Sequence, residues 1–188
     1  MRLPFPRSGA DHGRPATPHA GPARGASSPL HRFNATAPAA ARSMLLACCG
    51  SRRWAHRLAV HRPYPDTEAL LAAADEAGYD MTHADLTEAL AAESAYHPPT
   101  DGPGALAATT ALRAGHAAYA DRFGHAFIVH LDDFRPEERL DQALTGIRAR
   151  LANDADEERA VAAEELRRLA RARLARLLTA PRAGAARP

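Results

Sequence analysis

An all-α fold, a single compact multi-helix domain between loose tails, is the architecture this sequence predicts. Hydrophobic residues make up 46 % of its 188 residues but aromatics only 5 %. A core so poor in aromatics must be built from Leu, Ala and Val, which suits closely packed helices. The middle of the chain carries a helical apolar pattern almost throughout. Helix caps and stops also punctuate it at short intervals.

Taken in order, residues 1–29 hold Pro, Gly, Ala, Ser and Arg with almost no large apolar side chains. Such a segment buries too little surface to offset its ordering entropy and is expected to be a disordered tail. It reads either as an arginine-rich targeting segment or as the product of a start codon set too far upstream. In "TAPAAARSMLLACCG", Thr36 is a candidate N-cap, Pro38 falls near the first turn and Gly50 is the stop. Ser51 caps "RRWAHRLAVH", which must end before Pro63. Asp66 opens "TEALLAAADEA", closed by Gly78.

Thr82 starts "HADLTEALAAESAY", with Asp85 three residues on as a variant capping box. That pattern is expected to run to the His97-Pro98-Pro99 stop. After the 97–104 loop, Ala105 to Arg122 is a helix interrupted by Gly115, which costs about 1 kcal/mol against Ala and marks a close contact or a break. Residues Ala126 to Leu131 have strand-like composition but are too short and isolated for a sheet. "RPEERLDQALTGIRARLAN" gives a helix with Pro136 in its first turn. Asp154, with Glu157 three residues later, opens the longest helix, to about Leu178. Leu166, Ala170, Leu174 and Leu177 form its apolar stripe, and Glu164 and Arg168 are an i,i+4 pair. The expected domain is 30–178, with 179–188 a second loose tail.

Charge narrows the function classes. Every basic residue besides His is arginine. Residues 1–43 hold six Arg and one Asp, +5, which leaves 44–188 at −3 against the chain's net +2. The tails are basic and the domain mildly acidic, which argues against a nucleic-acid binder, since that function needs a basic face on the fold. Cys48 and Cys49 are adjacent and form neither a disulfide framework nor a zinc set. They read as small buried residues, in keeping with a reducing cytoplasm. No apolar run approaches 18 residues, so no membrane span is expected.

Four segments carry a resemblance. "LLACCGSRRWAHRLAVHRPYPDTEALLAAADEA" resembles the N-terminal signature of the 2-oxo-4-hydroxy-4-carboxy-5-ureidoimidazoline (OHCU) decarboxylase family. "FNATAPAAARS" resembles that family's lead-in. "GHAAYADRFGHAFIV" resembles its "NxxYxxxFGHxF" region, with His116 where the family usually has Asn. "IRARLANDADEERAVAAEELRRLARARLARLL" resembles its C-terminal "RLxND…E…EL…I…RL" block. The resemblance covers about Leu30 to Leu178. It implies an all-α fold, usually a homodimer, no metal or cofactor, and release of CO2 from the urate-derived ureidoimidazoline to give (S)-allantoin.

The resemblance also implies a site: a catalytic His in a His-Pro-Arg-Ile-Gly motif after a helix, a Glu and a Gln from a Ser-x-x-Glu-Gln motif, backbone contacts from the Phe-Gly-His-x-Phe segment, and an anion-holding Arg from the C-terminal block. Carried over, it makes His97 the catalytic base, with Pro98, Phe127, Ile128 and Arg150 binding substrate and Glu93 an accessory acid. The sequence departs from the motif. "EALAA" is followed by Glu93-Ser94, His97-Pro98 comes four residues later, Pro99 replaces the Arg, and Ser-x-x-Glu-Gln is not found. Asp101 is the only acid between Pro99 and Leu112.

The chemistry asks for such groups. Decarboxylation leaves an electron pair that needs a sink and finally a proton, so a cofactor-free enzyme needs a donor to the developing charge and an acid or base of suitable pKa. An imidazole supplies the latter and an Arg clamps anionic oxygens. Each residue has a plain alternative. His97 is an exposed polar residue before two prolines, Glu93 a solvated helix charge, and Arg150 a surface partner of Glu157 or Glu158. Phe127 and Ile128 are core residues, and His125 is a packing His. "RRLARARLARLL" is an amphipathic helix with a wet arginine face, or at the margin a nucleic-acid or membrane surface. Three readings follow: a cofactor-independent carboxy-lyase, a catalytically impaired paralogue serving as a helical binding or structural protein, and a DNA-associated helical protein.

Overall fold

The computed structural model describes residues 28–97 and 105–179. The expected disordered tail 1–29, all but its last two residues, lies outside them, as do Pro98 and nearly all of the C-terminal tail. Among the described residues the protein is all-α, with eight helices and no strand. They are α1 Pro29–Ala35, α2 Pro38–Leu46, α3 Arg52–Val60, α4 Thr67–Tyr79, α5 His83–Ala91, α6 Ala105–Phe123, α7 Arg139–Arg150 and α8 Ala155–Thr179.

Local chemistry explains most boundaries. The Ser51 hydroxyl accepts from the Trp54 N–H and the Asp66 carboxylate from the Ala69 N–H, so each satisfies an orphan donor of the first turn. Thr82 and Asp85 form the reciprocal capping box. α6 ends at Gly124, whose φ of +77° takes the left-handed conformation that turns the chain out of the helix.

Four boundaries differ from expectation. α1 is a separate helix, capped by Ser28 with Pro29 in its first turn, and Thr36 closes it instead of opening α2. α4 runs one residue past Gly78. α5 stops at Ala91, and two residues on the Glu93 carboxylate is bound to Arg173 of α8 by two bonds of 2.6 and 2.7 Å. α7 starts at Arg139, because Arg135 and Glu138 close a turn of their own through the Arg135 N–H (3.1 Å) and guanidinium (2.6 Å).

Two apolar cores result. The larger gathers α1 to α5 around α8; Trp54 fills its centre and its indole N–H donates to the Ala74 carbonyl at 2.9 Å. α8 contributes Ala162, Leu166, Ala170, Leu174 and Leu178, a stripe of four-residue steps in which Leu178, not Leu177, is the buried end. Its arginines are not a free basic face. Arg167 and Arg171 reach Asp75 of α4, Arg167 and Arg168 reach Glu164, and Arg173 reaches Glu93.

The smaller core lies between α6, α7 and residues 126–131, and holds Leu112, Tyr119, Phe127, Leu131, Ala143 and Ile147. The extended 126–129 segment is the seam. Phe127 points into the small core and Ile128 into the large one, as alternation along extended backbone requires. Gly115 is the close contact its place in α6 suggested, for a Cβ there would lie 2.9 Å from Ile147 Cγ2. Ile147 is β-branched and stiff, so it yields little. Gly115→Ala is expected to lose about 1–3 kcal/mol to overpacking and recover at most about 1 kcal/mol of helix propensity. Urea unfolding should therefore show a net loss.

Candidate active site

The seam segment is held by a buried polar network. Glu158, in the first turn of α8, is 1 % exposed. It accepts from Arg150 Nε at 2.9 Å and Nη2 at 2.5 Å, from Asn153 Nδ2 at 2.9 Å, and from the Tyr119 hydroxyl. Arg150 Nη1 donates to the Ile128 carbonyl at 2.7 Å and its guanidinium lies 4.6 Å from the Phe127 ring centroid. Burial, with the hydrogen bond to Glu158 next, pushes the Tyr119 hydroxyl well above its ordinary range, so it stays protonated and donates.

Residues from both the "GHAAYADRFGHAFIV" and "RLANDADEE" segments meet here. Arg150 is neither a surface ion pair nor open to a ligand, since its donors face Glu158, Tyr119 and Ile128. The sequence reading offered Glu158 only as a surface partner of Arg150 and missed its burial. Its signal was its register: counting back by fours from Leu178 through Leu174, Ala170, Leu166 and Ala162 reaches Glu158, a carboxylate on the apolar stripe.

His97 lies elsewhere. It borders a cleft of about 540 Å³ whose wall includes Ala95, Thr109, Leu112, Arg113, His116 and Phe127. The His97 ring is exposed, and its Nδ1 lies 2.7 Å from the Ala95 carbonyl. A carbonyl only accepts, so Nδ1 carries a proton in that bond. The His116 ring stands edge-on to it at 6.0 Å and stacks against Phe127 at 6.1 Å. Burial and the neighbouring His97 charge hold the His116 imidazole below its ordinary value, so it is neutral at pH 7.

Of the residues singled out from the sequence, the structure brings His97 and Phe127 to one cleft. Phe127 also joins that cleft to Arg150 behind it. Ile128 offers its carbonyl to Arg150, not to the cleft. Glu93 is neither solvated nor a partner of His97: with Arg173 it forms a bidentate pair whose carboxylate side chain is 5 % exposed.

A second cleft of about 300 Å³ is bordered by His83, Leu90, Arg122, His125, Glu158 and Arg159. His125 there packs edge-on against Tyr119 at 5.4 Å. Burial raises both cysteine thiols, Cys49 to about 11, so neither is a thiolate at neutral pH. Among the described residues no group of three or more His, Cys, Asp or Glu is placed to hold a metal ion. Nor is any helix long and apolar enough to cross a membrane.

The fold and sequence have known counterparts. A solved structure of (S)-allantoin synthase superposes with a TM-score of 0.63 at 18 % identity, covering 81 % of this chain and 54 % of that one. A solved structure of OHCU decarboxylase in the presence of (S)-allantoin gives 0.60 at 22 % identity, covering 72 % of this chain and 96 % of that one. These likenesses show the fold. This chain thus spans about half the length of the allantoin synthase. Comparison with curated proteins finds no match. The family description OHCU decarboxylase matches residues 34–99 and 101–175, nearly the whole helical domain. With all four sequence segments inside or overlapping that match, the chain belongs to the OHCU decarboxylase family.

Proposed function

We propose that the protein is a cofactor-independent carboxy-lyase of urate degradation that converts OHCU to (S)-allantoin in the cleft bordered by His97. The observation that carries this reading is the place of His97: an imidazole anchored through Nδ1 to the Ala95 carbonyl, at the edge of a cleft walled largely by Leu112, Phe127 and alanines. His97 acts as the acid–base group and Phe127 as the wall against which the ring lies. Pro98 and Ile128 are carried over from the family pattern as substrate contacts, and Arg150 fixes the 127–128 segment from behind. Family membership supports a homodimer as the working form.

Substrate generated from urate by urate oxidase and hydroxyisourate hydrolase, and followed by circular dichroism, tests the reading. The protein is expected to produce optically active (S)-allantoin faster than the spontaneous reaction. A rate equal to the spontaneous one overturns the proposal.

A second reading has its own support. The carboxylate of Glu93, the residue that follows "EALAA" where the family pattern has its His, is clamped by Arg173. Four hydrogen bonds tie the Arg150 guanidinium to internal acceptors, to Glu158 twice, to Tyr119 and to Ile128. A chain that uses both for architecture fits a paralogue that kept the scaffold and lost the chemistry. It predicts a folded protein with no stereoselective turnover, and the same assay separates the two.

A further inference from the structure

We propose that His116 is a second catalytic imidazole of this cleft and that Arg113, one turn before it on α6, is its anion-binding residue. The inference rests on the lyase reading and supplies the groups that the absent Ser-x-x-Glu-Gln motif leaves unassigned.

Three observations converge. His116 Nε2 is the one buried side-chain nitrogen or oxygen among the described residues with no hydrogen-bond partner. Buried polar atoms are nearly always satisfied, so an orphan nitrogen in a cleft wall calls for a partner, and a ligand in the cleft would supply one. Arg113 borders the same cleft and makes no hydrogen bond or ion pair with any described residue, whereas Arg122, Arg150, Arg167, Arg171 and Arg173 are all engaged. The i,i+3 spacing puts Arg113 and His116 on one face of α6. His97 closes the group from the other side, its ring 6.0 Å from that of His116. The charged and titratable groups at the cleft are therefore His97, Arg113 and His116, with no carboxylate among its described walls.

The reaction gives each a task. Arg113 holds the departing carboxylate. The bond from the ring carbon to that carboxylate breaks, CO2 leaves, and the electron pair passes toward the neighbouring imine, whose nitrogen takes a proton from the His97 imidazolium. Neutral His116 removes the ring hydroxyl proton as the ring carbonyl forms and returns it to the adjacent carbon, which becomes the stereocentre. One proton from solvent restores His97 for each CO2 released.

The test uses the full chain with His116→Asn, His116→Gln and Arg113→Ala, each first confirmed folded by its helical circular dichroism. Both His116 variants are expected to lower kcat roughly 10²- to 10³-fold at little change in KM, since neither side chain can carry a proton. Arg113→Ala is expected to raise KM about tenfold or more, from the loss of a charged hydrogen bond. A His116→Asn enzyme within about threefold of wild-type kcat overturns the proposal, because general acid–base roles are worth far more than that. If the wild type shows no turnover, the lyase reading fails by itself. The ring-proton NMR signals of His116 on titration with (S)-allantoin then decide the site. A saturable shift that Arg113→Ala abolishes supports a ligand site at Arg113 and His116 and removes only the catalytic role, and no shift overturns the site as well.

Discussion

Replacing Glu158 with alanine is expected to cost about 3–5 kcal/mol of folding stability, the largest loss of any single substitution discussed here. The reason is asymmetry. Glu158 neutralises Arg150 inside the protein, and it also accepts from Tyr119 and Asn153. Removing it leaves a buried guanidinium with no counter-charge, and the protein must either hydrate it or open the seam. Removing both charges is expected to cost less than the sum of the two single changes, because neither partner is then stranded. Denaturant unfolding of Glu158→Ala, Arg150→Met and the double variant measures the coupling. Additive losses would show that the pair is not one unit.

His97→Ala is expected to lower kcat for (S)-allantoin formation roughly 10²- to 10⁴-fold while leaving folding stability nearly unchanged. The two halves of this expectation have one cause. The His97 ring is exposed and its one hydrogen bond is to the Ala95 carbonyl two residues away. Little of the fold depends on it, so a lost rate cannot be assigned to a lost structure. The stereochemical readout matters because the spontaneous reaction still yields racemic product. A His97→Ala protein that forms (S)-allantoin at the wild-type rate would remove His97 from the mechanism.

Much of the fold was legible because local chemistry fixes it. Ser51, Asp66 and the Thr82–Asp85 pair each sit one turn from the N–H they satisfy, so the bond that starts the helix is written within four residues. The misplaced end of α5 has the opposite property. α5 was read through to Tyr96 because no breaker stands before the prolines; the partner that holds Glu93 just past its end is Arg173, eighty positions along the chain. The site was legible in part for the same reason. His97 and Phe127 could be found from motif segments, but whether Arg150 faces solvent, substrate or core depends on Tyr119 and Glu158, which only folding brings to it. His116 was noted as a departure from Asn. What gives that departure meaning is an unsatisfied nitrogen and a second imidazole across the cleft, neither of which a sequence displays.

The division into two cores has a kinetic consequence. The large core is anchored by α8 and carries most of the buried apolar residues, whereas the cleft is built on the small core of α6, α7 and the seam. A unit with fewer buried apolar side chains opens at lower free energy than the global transition, so its amides exchange with solvent sooner. The cleft thus rides on a sub-globally opening unit whose closed state a bound ligand would trap. Native-state hydrogen exchange would register occupancy first as added protection in α6 and α7, with the α8 amides unchanged.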